Sequence, residues 1–109
     1  MKRVDQTIMS GQYKGLLSNK IGYIKKNGYV NVRMWGTGMT QSAGTWITLA
    51  TLPEGYRPYS IAYGTAVFGN NGQYPALARV DTDGSIQTYC NTAITNQAVC
   101  FNLIFAVNE

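Results

Sequence analysis

The sequence predicts an all-β fold, an antiparallel β-sandwich of jelly-roll type, from three observations. Apolar and polar residues alternate over short runs, as in strands that turn one face to a core. Turn signals rich in Gly, Asn and Asp separate about eight such runs, and no apolar stripe of helical period has a useful length. Charged residues make up only 13% of the chain, and its 109 residues suffice for one core. We therefore expect a sandwich domain over residues 21–109, preceded by an N-terminal arm over residues 1–20.

A β-hairpin is predicted around Asn27-Gly28, the dipeptide that best tolerates positive φ at both centres of a type I′ turn. The two-residue loop places Lys26 opposite Tyr29 and Tyr23 opposite Val32. The predicted core face carries Ile21, Tyr23, Val30, Val32 and Met34. The other face carries Ile24, Tyr29, Asn31, Arg33 and Trp35, a mixture of rings and a guanidinium that is unusual for a plain solvated surface.

A second hairpin is predicted around Asp83-Gly84. A two-residue loop would place Val80 opposite Gln87, whereas a three-residue loop ending in a bulge at Gly84 places Val80 opposite Ile86. The apolar pairing favours the bulge. Arg79 and Gln87, together with Tyr89, would then share the outward face.

Two longer strands are also predicted. Residues 59–68 form one strand or a pair broken at Gly64, and residues 98–107 form the last strand. This last strand is apolar on both sides, which indicates that it is central to a sandwich or buried against a neighbouring subunit. One of its faces carries Val99, Phe101, Leu103, Phe105 and Val107, and the other carries Cys100, Ile104 and Ala106.

The residue inventory argues against an enzyme and against a metal or cofactor site. The chain has no histidine, and its only acids are Asp5, Glu54, Asp81, Asp83 and Glu109. Asp81 and Asp83 flank a turn, so turn chemistry explains them better than a glycosidase pair or a calcium site.

The two cysteines, Cys90 and Cys100, cannot complete a metal site alone. We expect both thiols to be free and buried in a protein made in the cytosol, with a disulfide as the alternative.

The charge pattern does not favour nucleic acid or membrane as a partner. The net charge is +4, and the nine basic residues are concentrated in the first third without the dense aromatic-interleaved stripe of nucleic-acid binders. Lys25-Lys26 reads as the solvated end of the first hairpin. No segment has the length and apolarity of a membrane span, and residues 1–7 do not resemble a signal peptide. We therefore expect synthesis in the cytoplasm, with release by lysis if the protein leaves the cell.

The chemistry that remains is a binding surface of rings and hydrogen-bonding side chains. Sugars stack their apolar faces on aromatic rings while amides and guanidinium groups bond the hydroxyls. Trp46 is out of phase with the apolar positions Ile47 and Leu49, and it therefore points away from the core. The predicted saccharide-binding residues are Trp46 and Trp35 first, followed by Tyr63, Tyr74, Arg79 and Tyr89.

Residues 46–58, with the sequence WITLATLPEGYRP, resemble a segment that recurs in the C-terminal head domains of tail fibres and receptor-binding proteins from phages of Gram-positive bacteria. Weaker similarity extends over about four fifths of the chain. The resemblance implies a jelly-roll-like homotrimer at the virion tail tip. It also implies binding of cell-wall polysaccharide without cleavage, contacts with other tail or baseplate proteins, and residues 1–20 as the remnant of a neck.

Three functions are open from the sequence. The leading one is a non-enzymatic adhesion domain for bacterial surface polysaccharide. The second is a structural trimerisation or baseplate module whose aromatic residues make protein contacts. The third is a carbohydrate-binding module attached to a cell-wall hydrolase.

Overall fold

A computed structural model describes residues 20–107 with their side chains and residues 15–16 as backbone. All regular structure in this part of the chain is β, so the all-β prediction is confirmed. No helix among these residues is long and apolar enough to cross a membrane. The strands are β1 (Gly15–Leu16), β2 (Ile21–Lys26), β3 (Tyr29–Gln41), β4 (Ile47–Thr51), β5 (Ala62–Phe68), β6 (Tyr74–Val80), β7 (Ser85–Tyr89) and β8 (Ile94–Ala106).

The eight strands form one antiparallel sheet in the order β1-β2-β3-β8-β5-β6-β7-β4. β3 and β8 have 13 residues each, longer than the sequence pattern predicts. Their pairing shifts register between Gly36 and Gln41, and bulges of this kind bend a strand pair. The sheet therefore curls, and its concave face encloses the core.

The first predicted hairpin is confirmed in turn type and register. Asn27 and Gly28 have φ values of 55° and 80°, as a type I′ turn requires. Lys26 pairs with Tyr29 and Tyr23 with Val32.

The second hairpin is also confirmed, including its bulge. Val80 pairs with Ile86 and Arg79 with Gln87. Gly84 has a φ of 91°, and its N–H donates to the Asp81 carbonyl at 2.9 Å. Glycine is needed at this position because a Cβ would lie 2.7 Å from the Leu52 carbonyl oxygen.

The core consists of the alternating apolar positions on the concave face. Phe68, Val80 and Ile86 have essentially no solvent exposure, and the predicted core face of the last strand is buried throughout. One polar pair lies among them. Thr88 Oγ1 donates to Gln41 Oε1 at 2.7 Å, and Gln41 Nε2 donates to the Thr88 carbonyl at 2.9 Å, so both buried groups are satisfied.

The turn that follows β4 is held by two side chains, those of Arg57 and Lys25. Arg57 Nε donates to the Leu52 carbonyl at 2.9 Å. Lys25 Nζ donates to the Gly55 carbonyl at 2.9 Å and lies 4.9 Å from the centre of the Tyr56 ring. Lys26 is exposed, as a solvated hairpin end should be, whereas Lys25 ties the hairpin to this turn.

Two expectations, the burial of Cys100 and the start of β5, need correction. Cys90 and Cys100 are free, but only Cys90 is buried; Cys100 is exposed because it alternates with the core residues Val99 and Phe101. β5 runs unbroken through Gly64 and begins at Ala62 rather than Tyr59. The predicted arm over residues 1–20 lies mostly outside the described residues, although its Gly15–Leu16 segment pairs with β2 as an edge strand.

Candidate functional site: an aromatic cluster on the outer face

The register of the four strands β4, β7, β6 and β5 places polar and aromatic side chains in one row on the convex, outer face of the sheet. Thr48 pairs with Gln87, Gln87 with Arg79, and Arg79 with Tyr63. Residues flanking Gln87 and Arg79 along the chain, such as Ile86 and Val80, are buried. Strict alternation therefore sends this row away from the core.

Trp46 lies directly before β4 and packs beside this row. The centre of its ring system is 5.4 Å from that of Tyr89 and 6.3 Å from that of Tyr63. The Arg79 guanidinium carbon lies 4.0 Å from the Trp46 ring centre, which is a close cation–π contact. We call Trp46, Tyr63, Arg79 and Tyr89 the Trp46 cluster.

A chain of hydrogen bonds orients the polar part of the cluster. Arg79 Nε donates to Gln87 Oε1 at 2.5 Å, and Gln87 Nε2 donates to Thr48 Oγ1 at 2.9 Å. The guanidinium is thus held both by stacking on Trp46 and by its bond to Gln87. A cation with two such constraints loses little further freedom when it binds a ligand.

The rings of the cluster differ in how much surface they offer. Arg79 covers one face of Trp46, and the indole is only half-buried by its surroundings. Tyr63 is 61% exposed. The structure therefore gives the largest free ring to Tyr63, with Trp46 and Tyr89 behind it, whereas the sequence placed Trp46 first.

A shallow cleft of about 310 Å³ adjoins the cluster. Leu77 pairs with Tyr89 across β6 and β7, so the cleft shares a wall with the cluster. Pro75 is the other exposed residue of β6 that lines the cleft, and Asn91 contributes an exposed amide beyond the end of β7. The cleft combines apolar walls with hydrogen-bonding groups at its edge, as saccharide sites do.

The other two predicted site residues do not join the cluster. Trp35 also lies on the outer face, but on β3, where it pairs with Cys100 on β8; Cys100 pairs in turn with Val67 on β5. Tyr74 occupies the core-facing phase of β6 and packs against the core, because it alternates in step with the buried residues Ala78 and Val80. Placing Tyr74 with the outward aromatics is therefore wrong.

Four neighbours of the Trp46 cluster were not among the predicted saccharide-binding residues. They are Thr48, Gln87, Leu77 and Asn91. Gln87 was recognised as outward-facing, and the correct hairpin register pairs it with Arg79. Thr48 and Asn91 carry no local signal for this role, because their position depends on the pairing of β4 with β7 and on the chain direction after Tyr89.

The two aspartates at the β6–β7 turn support the turn, as the sequence indicated. Asp83 Oδ1 accepts hydrogen bonds from the Ser85 hydroxyl at 2.6 Å and from the Ser85 N–H at 2.9 Å. These bonds lower the pKa of Asp83 below its ordinary value. Within the described part of the chain, no group of three or more His, Cys, Asp or Glu side chains is placed to hold a metal ion.

Comparisons of the chain with protein families, with curated proteins and with solved structures gave no significant match.

Proposed function

We propose that this chain is a non-enzymatic saccharide-binding domain that attaches a phage to the surface of its bacterial host. The observation that carries the proposal is the Trp46 cluster, in which three rings and a preoriented guanidinium share one outward face. Rings provide stacking surface for the apolar faces of sugars, and Arg79, Gln87 and Thr48 provide bonds for hydroxyl groups.

The shape of the surface suits a saccharide better than a small apolar ligand. The cluster and its cleft are open, and hydrogen-bonding groups lie beside rings on the same face. Tyr63 offers a broad ring at the surface, and Arg79 offers those guanidinium nitrogens that Gln87 does not use. A sugar unit on Tyr63 would lie within reach of the Arg79 head group, since the two residues are direct cross-strand partners.

The phage assignment rests on the resemblance of residues 46–58 to tail-fibre and receptor-binding heads. In the structure this segment starts with the central ring of the cluster, Trp46, and ends with the turn that Arg57 and Lys25 hold in place. The segment thus contains both a residue of the proposed site, Trp46, and the turn that follows β4. On this proposal the curled sheet is a jelly-roll-like sandwich, the molecule is a homotrimer at the virion tail tip, and it contacts other tail or baseplate proteins.

Net charge adds a preference among polysaccharides. The chain carries a formal charge of +4, which attracts anionic polymers over distances of about one Debye length. Phosphate-bearing wall polymers are therefore the favoured class, and binding should weaken as salt is added.

A bacterial glycan array tests the proposal directly. The folded protein should bind a restricted set of wall glycans, and the Trp46→Ala variant should lose at least about 90% of that signal, because stacking contributes on the order of 1–2 kcal/mol and Arg79 loses its support. Circular dichroism of the variant controls for folding. Absence of binding by the parent protein, or equal binding by the variant, would refute the proposal.

One observation favours a second candidate, a structural trimerisation module. Ile104 is 65% exposed in the middle of β8, and Tyr29, Val67 and Cys100 are exposed on the same side of the sheet. Exposed apolar groups of this kind are typical of subunit contacts. Light scattering should give a trimer mass; a trimer that binds no glycan would favour the structural role.

A further inference from the structure

The three arginines that the structure describes differ in the partner of the Nε–H group. Arg57 Nε donates to the Leu52 carbonyl, and Arg79 Nε donates to Gln87 Oε1. Arg33 Nε is shielded from solvent and has no hydrogen-bond partner. A shielded donor without an acceptor is unfavourable and uncommon in folded proteins, so this position calls for an explanation.

The cross-strand neighbours of Arg33 show which acceptor is already in use. Arg33 lies on the outer face of β3, between Gly22 on β2 and Asn102 on β8. Asn31 Nδ2 donates both to Asn102 Oδ1 and, at 3.0 Å, to the Leu103 carbonyl. The side-chain carbonyl of Asn102, the cross-strand partner of Arg33, is thus in use, and the Asn102 residue is exposed.

Within residues 20–107, no carboxylate forms an ion pair with Arg33. The acids of the described chain lie in turns, with Glu54 after β4 and with Asp81 and Asp83 between β6 and β7. Arg33 lies in the middle of β3, and no ion pair among the described residues involves it. Arg33 is therefore a half-buried positive charge with no carboxylate partner among the described residues.

We propose that Arg33 and Asn102 form a binding site for an oxyanion, a phosphate or carboxylate group. A guanidinium fork donates in parallel from Nε and a terminal nitrogen to two oxygens of such a group. Because Nε is shielded in the unliganded protein, the Arg33 side chain must turn to bring Nε to the anion, which then supplies the acceptor that Nε lacks. Asn102 Nδ2 donates to the same anion from the neighbouring strand. This site is separate from the Trp46 cluster, and the proposal does not rest on saccharide binding.

Nuclear magnetic resonance of the arginine Nε–H groups tests the proposal on the unmodified protein. Inorganic phosphate and acetate are titrated separately at pH 7, with sodium chloride at matched ionic strength as the reference. The Arg33 cross-peak should move saturably with at least one of the two oxyanions, while the Arg57 and Arg79 cross-peaks hold. No saturable shift with either anion, or shifts confined to Arg79, would overturn the proposal.

Thermal unfolding provides an independent readout. Phosphate or acetate, whichever moves the cross-peak, should raise the Tm of the parent protein relative to chloride, and Arg33→Met should abolish the rise. Asn102→Ala should reduce the rise by at least about half. Lys26→Met, which removes one exposed positive charge, is the matched control and should retain the full rise. If Lys26→Met loses as much as Arg33→Met, the effect is one of net charge and the assigned site is wrong. If Arg33→Met does not fold, the cross-peak titration alone decides.

Discussion

Arg79 and Arg33 occupy similar settings on one sheet and differ in the partner of the Nε–H group. Both lie on the outer face, each in the interior of a strand and each near a tryptophan. Arg79 stacks on Trp46 and donates to Gln87, whereas the Nε–H of Arg33 has no acceptor. The guanidinium of Arg79 therefore has a stacking partner and an acceptor, whereas that of Arg33 lacks an acceptor for Nε.

The difference comes from the neighbouring strands. The Gly84 bulge sets a register in which a glutamine faces Arg79, and that glutamine is itself held by Thr48. Asn102 faces Arg33, but Asn31 already uses its carbonyl oxygen. An outward arginine is therefore preorganised or left unsatisfied according to whether its cross-strand partner has a free acceptor.

The largest expected effect concerns the bulge that gives Arg79 its partner. Gly84→Ala should lower the free energy of unfolding by about 3 kcal/mol, because φ is positive and the new methyl group meets a backbone oxygen and Arg57. Denaturant unfolding measures the loss.

Gly44→Ala is the matched control for this effect. Gly44 also has a positive φ, of 72°, but its Cβ position is open, so the loss should be only about 1 kcal/mol. Equal losses in the two variants would mean that the packing around the bulge does not matter.

The two arginines should respond with opposite sign to the same substitution. Arg79→Met should lower stability by about 1–2 kcal/mol, because Gln87 Oε1 loses its donor and Trp46 its cation. Arg33→Met should be neutral or stabilising by up to about 1 kcal/mol in buffers without oxyanions, since it removes a shielded, unpaired donor. Urea titrations of both variants give the comparison, and similar losses in both would contradict it.

Cys100 on β8 lies between the part of the outer face around Arg33 and the part around Arg79. It pairs with Trp35 on one side and with Val67 on the other. Its thiol is exposed while that of Cys90 is buried. A thiol reagent should therefore modify one equivalent in the folded protein and two after unfolding without reductant. No reaction in the folded protein would place this part of the outer face in a subunit contact, and no thiols in the unfolded chain would establish a disulfide.

The smallest effect concerns the acid that supports the bulge. The pKa of Asp83 is lowered by its bonds to Ser85, so the ionised form stabilises the fold above the ordinary aspartate pKa of about 4, and this contribution is lost as pH falls through the lower folded value. Asp83→Ala should be slightly less stable than the parent at pH 7, and the difference should shrink as pH falls below the ordinary aspartate pKa. A constant difference across this range would show that the charge of Asp83 is irrelevant.

The sequence predicts those features that local chemistry determines. Asn27-Gly28 and Asp83-Gly84 specify their turns and therefore the registers that pair Tyr23 with Val32 and Arg79 with Gln87. Alternation then identifies Arg79, Gln87 and Tyr89 as outward residues that prove to be neighbours.

Features that depend on long-range pairing were not predictable. The strand order brings β4 beside β7, and only that pairing places Trp46 against Tyr89 and Arg79. Tyr74 was misplaced because its phase on β6 becomes clear only when Ala78 and Val80 are known to be buried. Exposure of Cys100 likewise follows from an open outer face that the apolar pattern of the last strand does not reveal.

The central claim, that the Trp46 cluster binds saccharide, is tested most directly by two tyrosines of matched exposure. Tyr63 lies in the cluster and is 61% exposed, whereas Tyr59 lies outside it and is 63% exposed. Adsorption of each alanine variant to purified host cell walls, or to the glycan found on the array, is measured beside the parent protein. The account predicts at least about tenfold weaker binding for Tyr63→Ala, as expected for a lost stacking contact, and unchanged binding for Tyr59→Ala. Parent-like binding by Tyr63→Ala, or equal loss in both variants, would contradict it.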